Sequence, residues 1–156
     1  MDPLSITASV ITVVTLAGQC AKSFACLRNV YKTLPGRLHA LNNEVTDINA
    51  VLIDVATLLG ERGKHNIPLD EQSQIAHIVT QLTEKLTELR SIIDALSTSS
   101  SRANIPIVQA RAWSKVQEKL SRLQEDIKNA KSRLNVLLGA SNSYVPQQLD
   151  SHLLLY

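Results

Sequence analysis

Between Pro3 and Ala21 the chain carries no charged residue, and the run closes against Lys22, Arg28 and Lys32. Asp2 is a good N-cap, and Pro3 suits the first helical position, where its missing N–H costs nothing. As a helix these residues would span roughly 28 Å, close to the thickness of a bilayer core. A helix with so little to offer water has to be buried, in protein or in lipid. Every other reading of the chain turns on which of the two it takes.

Within the run, Ser5, Ser9, Thr12, Thr15, Gln19 and Lys22 recur every three or four residues, a narrow polar stripe on an otherwise apolar cylinder. Leu4, Ile6, Val10, Ile11, Val13, Val14 and Leu16 would favour insertion into a bilayer by about 2–4 kcal/mol in total. The hydroxyl stripe opposes them, so a stable monomeric span is not the expectation. A signal peptide is not expected either, because the run follows an acidic residue directly and has no basic segment before it.

Three later segments show an alternating three- and four-residue spacing of apolar side chains. The first holds Leu38, Leu41, Val45, Ile48, Leu52, Val55 and Leu59, with Gly60 placed as a C-terminal cap. The second starts from Asp70 and Glu71 and repeats as Ile75, Val79, Leu82, Leu86, Leu89, Ile93 and Leu96. A Ser/Thr linker, Ser97 to Ser101, should follow. The third begins around Pro106 and repeats as Trp113, Val116, Leu120, Leu123, Ile127, Ala130, Leu134 and Leu137, closing at Gly139. Similar lengths and short connections predict an all-α fold, an antiparallel four-helix bundle with an apolar N-terminal helix, over residues 1–139. Residues 140–156 read as a linker or C-terminal tail, whose last leucines either pack back or continue into a longer chain. Trp113 opens its seam and is expected to be a core anchor.

Charge is segregated along the chain. Residues 37–61 carry one basic and four acidic side chains, residues 70–96 two and five, and residues 102–133 eight and three. Alternating acidic and basic segments suit packed neighbours that attract one another. The ridge Arg111, Lys115, Lys119 and Arg122 on the last helix would either bind phosphate groups or pair with the acidic second or third helix. Aromatic residues do not interleave with it, so a nucleic-acid partner is not expected.

Catalytic chemistry finds no foothold. No phosphate loop, nucleophile elbow or His-Glu-x-x-His occurs, and His39, His65, His77 and His152 are scattered. Asp47, Asp54 and Glu61 repeat every seven residues, the pattern of an exposed stripe beside a seam. Cys20 and Cys26, about 9 Å apart on one helix, are beyond disulfide reach and read as reduced, buried thiols of a cytoplasmic protein. The expectation is a protein that is not an enzyme, with no cofactor, metal or small-molecule substrate.

Met1-Asp2-Pro3-Leu4-Ser5-Ile6-x-Ala8-Ser9-Val10-Ile11, followed by Leu16-Ala17-Gly18, resembles the opening of the fungal N-terminal domain of STAND proteins, the HeLo-like group. Trp113, Lys119-Leu120-x-x-Leu123 and Lys131-x-x-Leu134-x-x-Leu137-Leu138 resemble that group's last helix, so the likeness covers residues 1–139. It implies a helical bundle fused to a C-terminal receptor module, acting as a membrane-targeting, oligomerisation-triggered effector in fungal immunity or programmed cell death. On that reading, clustering into a homo-oligomer recruits the domain to the plasma membrane. Leu4, Ile6, Val10, Ile11, Val13, Val14 and Leu16 would insert, and Lys22, Arg28 and Lys32 would meet anionic headgroups. The alternative is a non-lytic adaptor, in which the same helix stays in the core and the bundle self-associates or recruits a partner.

Overall fold

In the computed structural model four helices follow one another: α1 (Pro3–Val30), α2 (Gly36–Arg62), α3 (Leu69–Arg102) and α4 (Gln109–Leu153). The structure describes the backbone of residues 3–30, 36–62, 68–102 and 109–153, and the side chains of residues 5–29, 36–61, 68–98 and 114–140. No strand occurs among the described residues. The fold is the all-α bundle that the sequence predicts.

Each helix buries one stripe with the spacing of a heptad seam. On α2 it is Leu38, Leu41, Val45, Ile48, Leu52, Val55 and Leu59; on α3 it is Ile75, Val79, Leu82, Leu86, Leu89 and Ile93, widened by Ile78; on α4 it is Leu120, Leu123, Ile127, Ala130 and Leu134. The first helix does the same with Ile6, Val10, Val13, Ala17, Cys20, Phe24 and Leu27, each 1 % exposed or less. Its 4-3 alternation is as regular as that of the other three. The uncharged helix is therefore a wall of the bundle, buried in protein along this line.

Cross-helix bonds fix how the walls are arranged. Residues 19 and 23 of α1 reach residues 90 and 94 of α3, so these two helices run parallel. Residues 37 and 44 of α2 reach residues 124 and 131 of α4, again in parallel. Between α3 and α4 the order reverses, from Gln81 with Arg133 to Glu88 with Lys119. It follows that α1 and α2 are antiparallel. Helix α1 packs on α2 and α3, and α4 packs on the same two, while α1 and α4, like α2 and α3, stand across the diagonals. The chain thus crosses a diagonal between its second and third helices.

Several helix ends differ from the sequence expectation. Ser97 to Ser101 is helical rather than a linker, and the Ser97 and Thr98 hydroxyls donate to the Ile93 and Asp94 carbonyl oxygens at 3.0 and 2.9 Å. Gly60 lies inside α2, which runs to Arg62. Helix α4, described from Gln109 with the expected start around Pro106 outside the described residues, continues through Gly139 to Leu153, so the segment read as linker or tail is helical over most of its length. The side chains of Trp113 and of residues beyond 140 lie outside the described residues.

Candidate interaction surface

The four long edges of the bundle, where neighbouring helices meet the solvent, differ in chemistry. At the α2/α4 edge Lys131 donates to Glu44 at 2.8 Å and reaches Asp47 at 3.3 Å, while Arg37 Nη1 donates to Gln124 at 3.0 Å. The hydrogen bond that Lys131 donates to Glu44, against a smaller opposing effect of burial, holds the Lys131 ammonium pKa above its usual value. At the α3/α4 edge Lys85 pairs with Asp126 at 3.1 Å and Lys119 with Glu88 at 3.9 Å. A shallow groove of about 270 Å³ lies there, lined by Gln81, Lys85, Asp126 and Arg133 among others. At the α1/α3 edge Arg90 donates to Gln19, and the Ser23 hydroxyl donates to Asp94 at 2.9 Å.

The α1/α2 edge is different. Its outer rows are Ile11, Gly18 and Ala25 on α1 and Thr46, Ile53 and Gly60 on α2, both at seven-residue spacing and both without charge. Ile11 is 54 % and Ile53 47 % exposed, two of the four exposed large apolar side chains among the described residues. Asn49 lies on the α1-facing flank of α2, and its Oδ1 is buried without a hydrogen-bond partner among the described residues.

The polar stripe of α1 faces outward as expected: Ser5, Ser9, Thr12, Thr15, Gln19 and Lys22 are all exposed. Three of its hydroxyls spend their protons on their own helix. Ser9 donates to the Ser5 carbonyl at 2.9 Å, Thr12 to Ala8 at 2.9 Å and Thr15 to Ile11 at 3.0 Å. With donors satisfied internally, this face is less polar than its composition implies.

The residues considered for membrane insertion do not share one face. Ile6, Val10 and Val13 are core, Val14 and Leu16 pack partly buried against it, and Ile11 points to solvent; the Leu4 side chain lies outside the described residues. Lys22 and Arg28 are exposed, and Lys32 lies outside the described residues. Of the basic ridge, Lys119 pairs with Glu88, Arg122 with Glu118 at 2.7 Å, and Lys115 is exposed. The Arg111 side chain is not among those described. His39, His77, Asp47, Asp54 and Glu61 are all exposed.

The two thiols part company. Cys20 is in the core, where its Sγ donates to the Leu86 carbonyl oxygen of α3 at 3.4 Å, and burial pushes its pKa up to about 11. Cys26, expected to be buried as well, is exposed, because it sits six residues on, toward the outer face of α1.

Comparison with curated proteins gave no match, and comparison with solved structures gave none. Residues 1–142 match the family described as pigment biosynthesis cluster protein PigL N-terminal, a fungal helical domain. The match covers α1, α2, α3 and most of α4, the part of the chain that forms the four-walled core. The chain belongs to the PigL N-terminal family.

Proposed function

We propose that the domain is a helical interaction module, a non-lytic adaptor of the HeLo-like kind that self-associates or recruits a partner in the cytoplasm, at the front of a longer receptor-type protein. The observation that carries this reading is the buried line from Ile6 to Leu27, which makes α1 part of the core. Burying Ile6, Val10, Val13, Phe24 and Leu27 contributes on the order of 10 kcal/mol. Insertion of the apolar α1 residues into a bilayer returns about 2–4 kcal/mol. The docked helix wins that comparison, and the exposed charge-free α1/α2 face remains available for contacts. The chain offers no catalytic group in this reading, and its expected partners are proteins.

A second reading keeps the membrane. Ser5–Asn29 is long and apolar enough to cross a bilayer by length and composition, a test that a core helix also passes. In this version clustering of an immune or cell-death receptor supplies the energy that pulls α1 out at the plasma membrane. Leu4, Ile6, Val10, Ile11, Val13, Val14 and Leu16 then insert, and Lys22, Arg28 and Lys32 meet anionic headgroups.

Cys20 is a native reporter for the choice, because its thiol is covered only while α1 is docked. Thiol labelling of the full chain should modify Cys26 at once and leave Cys20 protected, both in buffer and with anionic vesicles. Rapid labelling of Cys20 on vesicles, with dye release, would replace the adaptor by the membrane effector.

A further inference from the structure

We propose that two copies of this chain associate by exchanging α4, each copy's α4 lying in the trough between α2 and α3 of the other. The proposal rests on the interaction-module reading and names the partner of that module and the surface it uses.

Helices α1 and α4 stand across a diagonal, and each joins the rest of the core by one connection, residues 31–35 and residues 103–108. Either could leave its seat by opening that connection alone, but they are held in different ways. The seam of α1 is closed from Ile6 to Leu27 with no residue above 1 % exposure, and the side-chain bonds from Gln19 and Ser23 to α3 each have a neutral member. Helix α4 is seated by charge. Lys119 meets Glu88, Asp126 meets Lys85, and Lys131 meets Glu44 and Asp47, on side chains that are 16–65 % exposed. Pairs this open to water add little and weaken as salt rises. The seat is also incompletely filled. On the seam of Leu120, Leu123, Ile127, Ala130 and Leu134 one residue is small, and beside Ala130 the groove of about 270 Å³ opens between α3 and α4. Dispersion contacts are forfeited there, so α4 has less to lose by leaving than α1.

Charge then selects what takes the trough. Helices α2 and α3 together carry nine acidic and five basic residues, and α4 carries seven basic and four acidic. The trough has an apolar floor and an acidic rim of Glu44, Asp47 and Glu88, so it suits an amphipathic helix with basic flanks. An acidic helix would be repelled by the same rim. The α4 of a second copy meets the requirement position by position. Every seam contact and every ion pair that α4 loses in its own bundle is remade in the partner, and the partner's α4 fills the first trough in return.

Because the contacts are the same in both arrangements, concentration decides between them. Exchange competes with docking in the parent bundle when the chain approaches the effective concentration of a tethered helix, about millimolar for a short connection. Copies held side by side in a cluster meet that condition, and dilute copies stay monomeric.

Thiol cross-linking of the full chain tests the exchange, in a Cys26→Ser background that leaves only the buried Cys20. Glu44→Cys and Lys131→Cys are placed in separate chains, mixed at about 1 mM and treated with a short bis-maleimide. Residue 44 of one chain lies beside residue 131 of the other only when α4 has crossed over. This mixture should give at least about tenfold more heterodimer than Lys22→Cys mixed with Lys131→Cys, whose sites are on helices across a diagonal. Product should form faster in about 1 M salt than in about 0.1 M, and faster than Cys20 is labelled. Wild type held under the same conditions, with every ion pair intact, should contain a dimer by sedimentation velocity. Equal yields from the two mixtures mean collision alone and overturn the proposal, as does a wild type that stays monomeric. Product that forms no faster than Cys20 labelling means that the whole core opens, and overturns the movement of α4 by itself. No exchange with Cys20 still protected overturns this partner and leaves the interaction module standing. Rapid labelling of Cys20 in wild type would instead remove the docked α1 on which the interaction module stands.

Discussion

The α1/α2 and α3/α4 edges of the bundle are built on the same heptad spacing and end in opposite surfaces. Between α3 and α4, Lys85 meets Asp126 and Lys119 meets Glu88, and the flanking positions are lysine, arginine, aspartate and glutamate. Between α1 and α2 the corresponding positions are isoleucine, glycine, alanine and threonine. Core burial holds both edges together, and the pairs at one of them add little, since exposed ion pairs are worth about 0–1 kcal/mol. What the charges change is what each edge can touch. A hydrated, internally paired edge repels association, and an uncharged one permits it.

The largest expected break of this symmetry lies beneath the surface. Val13 is 1 % exposed on the α1 seam, so Val13→Lys places an unpaired ammonium in the core and should cost more than about 4 kcal/mol, seen as loss of the cooperative melt by circular dichroism. Val136 on α4 is 72 % exposed, and the same change there should move stability by no more than about 0.5 kcal/mol. A Val13→Lys protein that melts like wild type would mean that α1 is not part of the bundle.

Alkaline pH comes next. The Cys20 pKa is raised from 9.0 to about 11 by burial, so the folded state keeps its proton where the unfolded chain loses it. The Cys20 contribution is present in full below pH 9 and is lost as pH rises through 11, a fall of about 2–3 kcal/mol in denaturant-measured stability. Cys20→Ala should flatten that part of the profile, and Cys26→Ala should not. The raised pKa of Lys131 works in the same direction, from its ordinary 10.5 upward.

Smaller effects separate the edges themselves. Lys131→Met removes the bridge to Glu44 and Asp47, whose nearer member is only 16 % exposed, and should cost about 1–2 kcal/mol by chemical denaturation. Arg122→Met loses only an exposed contact within α4 and should cost less than about 0.5 kcal/mol. At the α1/α2 edge the sign reverses. Asn49→Ala removes a buried carbonyl oxygen without a partner and improves helix propensity, so it should raise stability by about 0.5–1 kcal/mol. A loss instead would show that Asn49 makes a bond on which the α1/α2 contact depends.

How much of this could be read from residues alone follows the contrast between polar and apolar positions. Helices α2, α3 and α4 declare their seams because leucine and isoleucine alternate with charged side chains. In α1 the seam from Ile6 to Leu27 is just as regular, but Ile11, Val14 and Leu16 off the seam are as apolar as Val10 and Val13 on it. Periodicity has nothing to stand out against there, and the polar stripe marks the outside without locating the inside. Propensity alone misplaces the helix ends. Ser97 and Thr98 bond back to their own helix, and Gly60 and Gly139 are carried along by helices long enough to bear the cost. The uncharged edge was not legible at all, since it depends on which two helices are neighbours, and no single helix records that.

The diagonal step between α2 and α3 also governs the order in which the chain can fold. Only α1 with α2, and α3 with α4, are hairpins of consecutive helices that share a wall. A segment containing α2 and α3 alone has no interface to form, so neither half of the core can grow from the middle of the chain. During synthesis the first hairpin emerges with the α1 seam half covered, and it stays so until α3 arrives and lies along α1 instead of along its own predecessor. The exposed seam of that first hairpin, running from Ile6 to Leu27, is therefore the surface most open to capture by a chaperone or by another nascent chain while the fold is still incomplete.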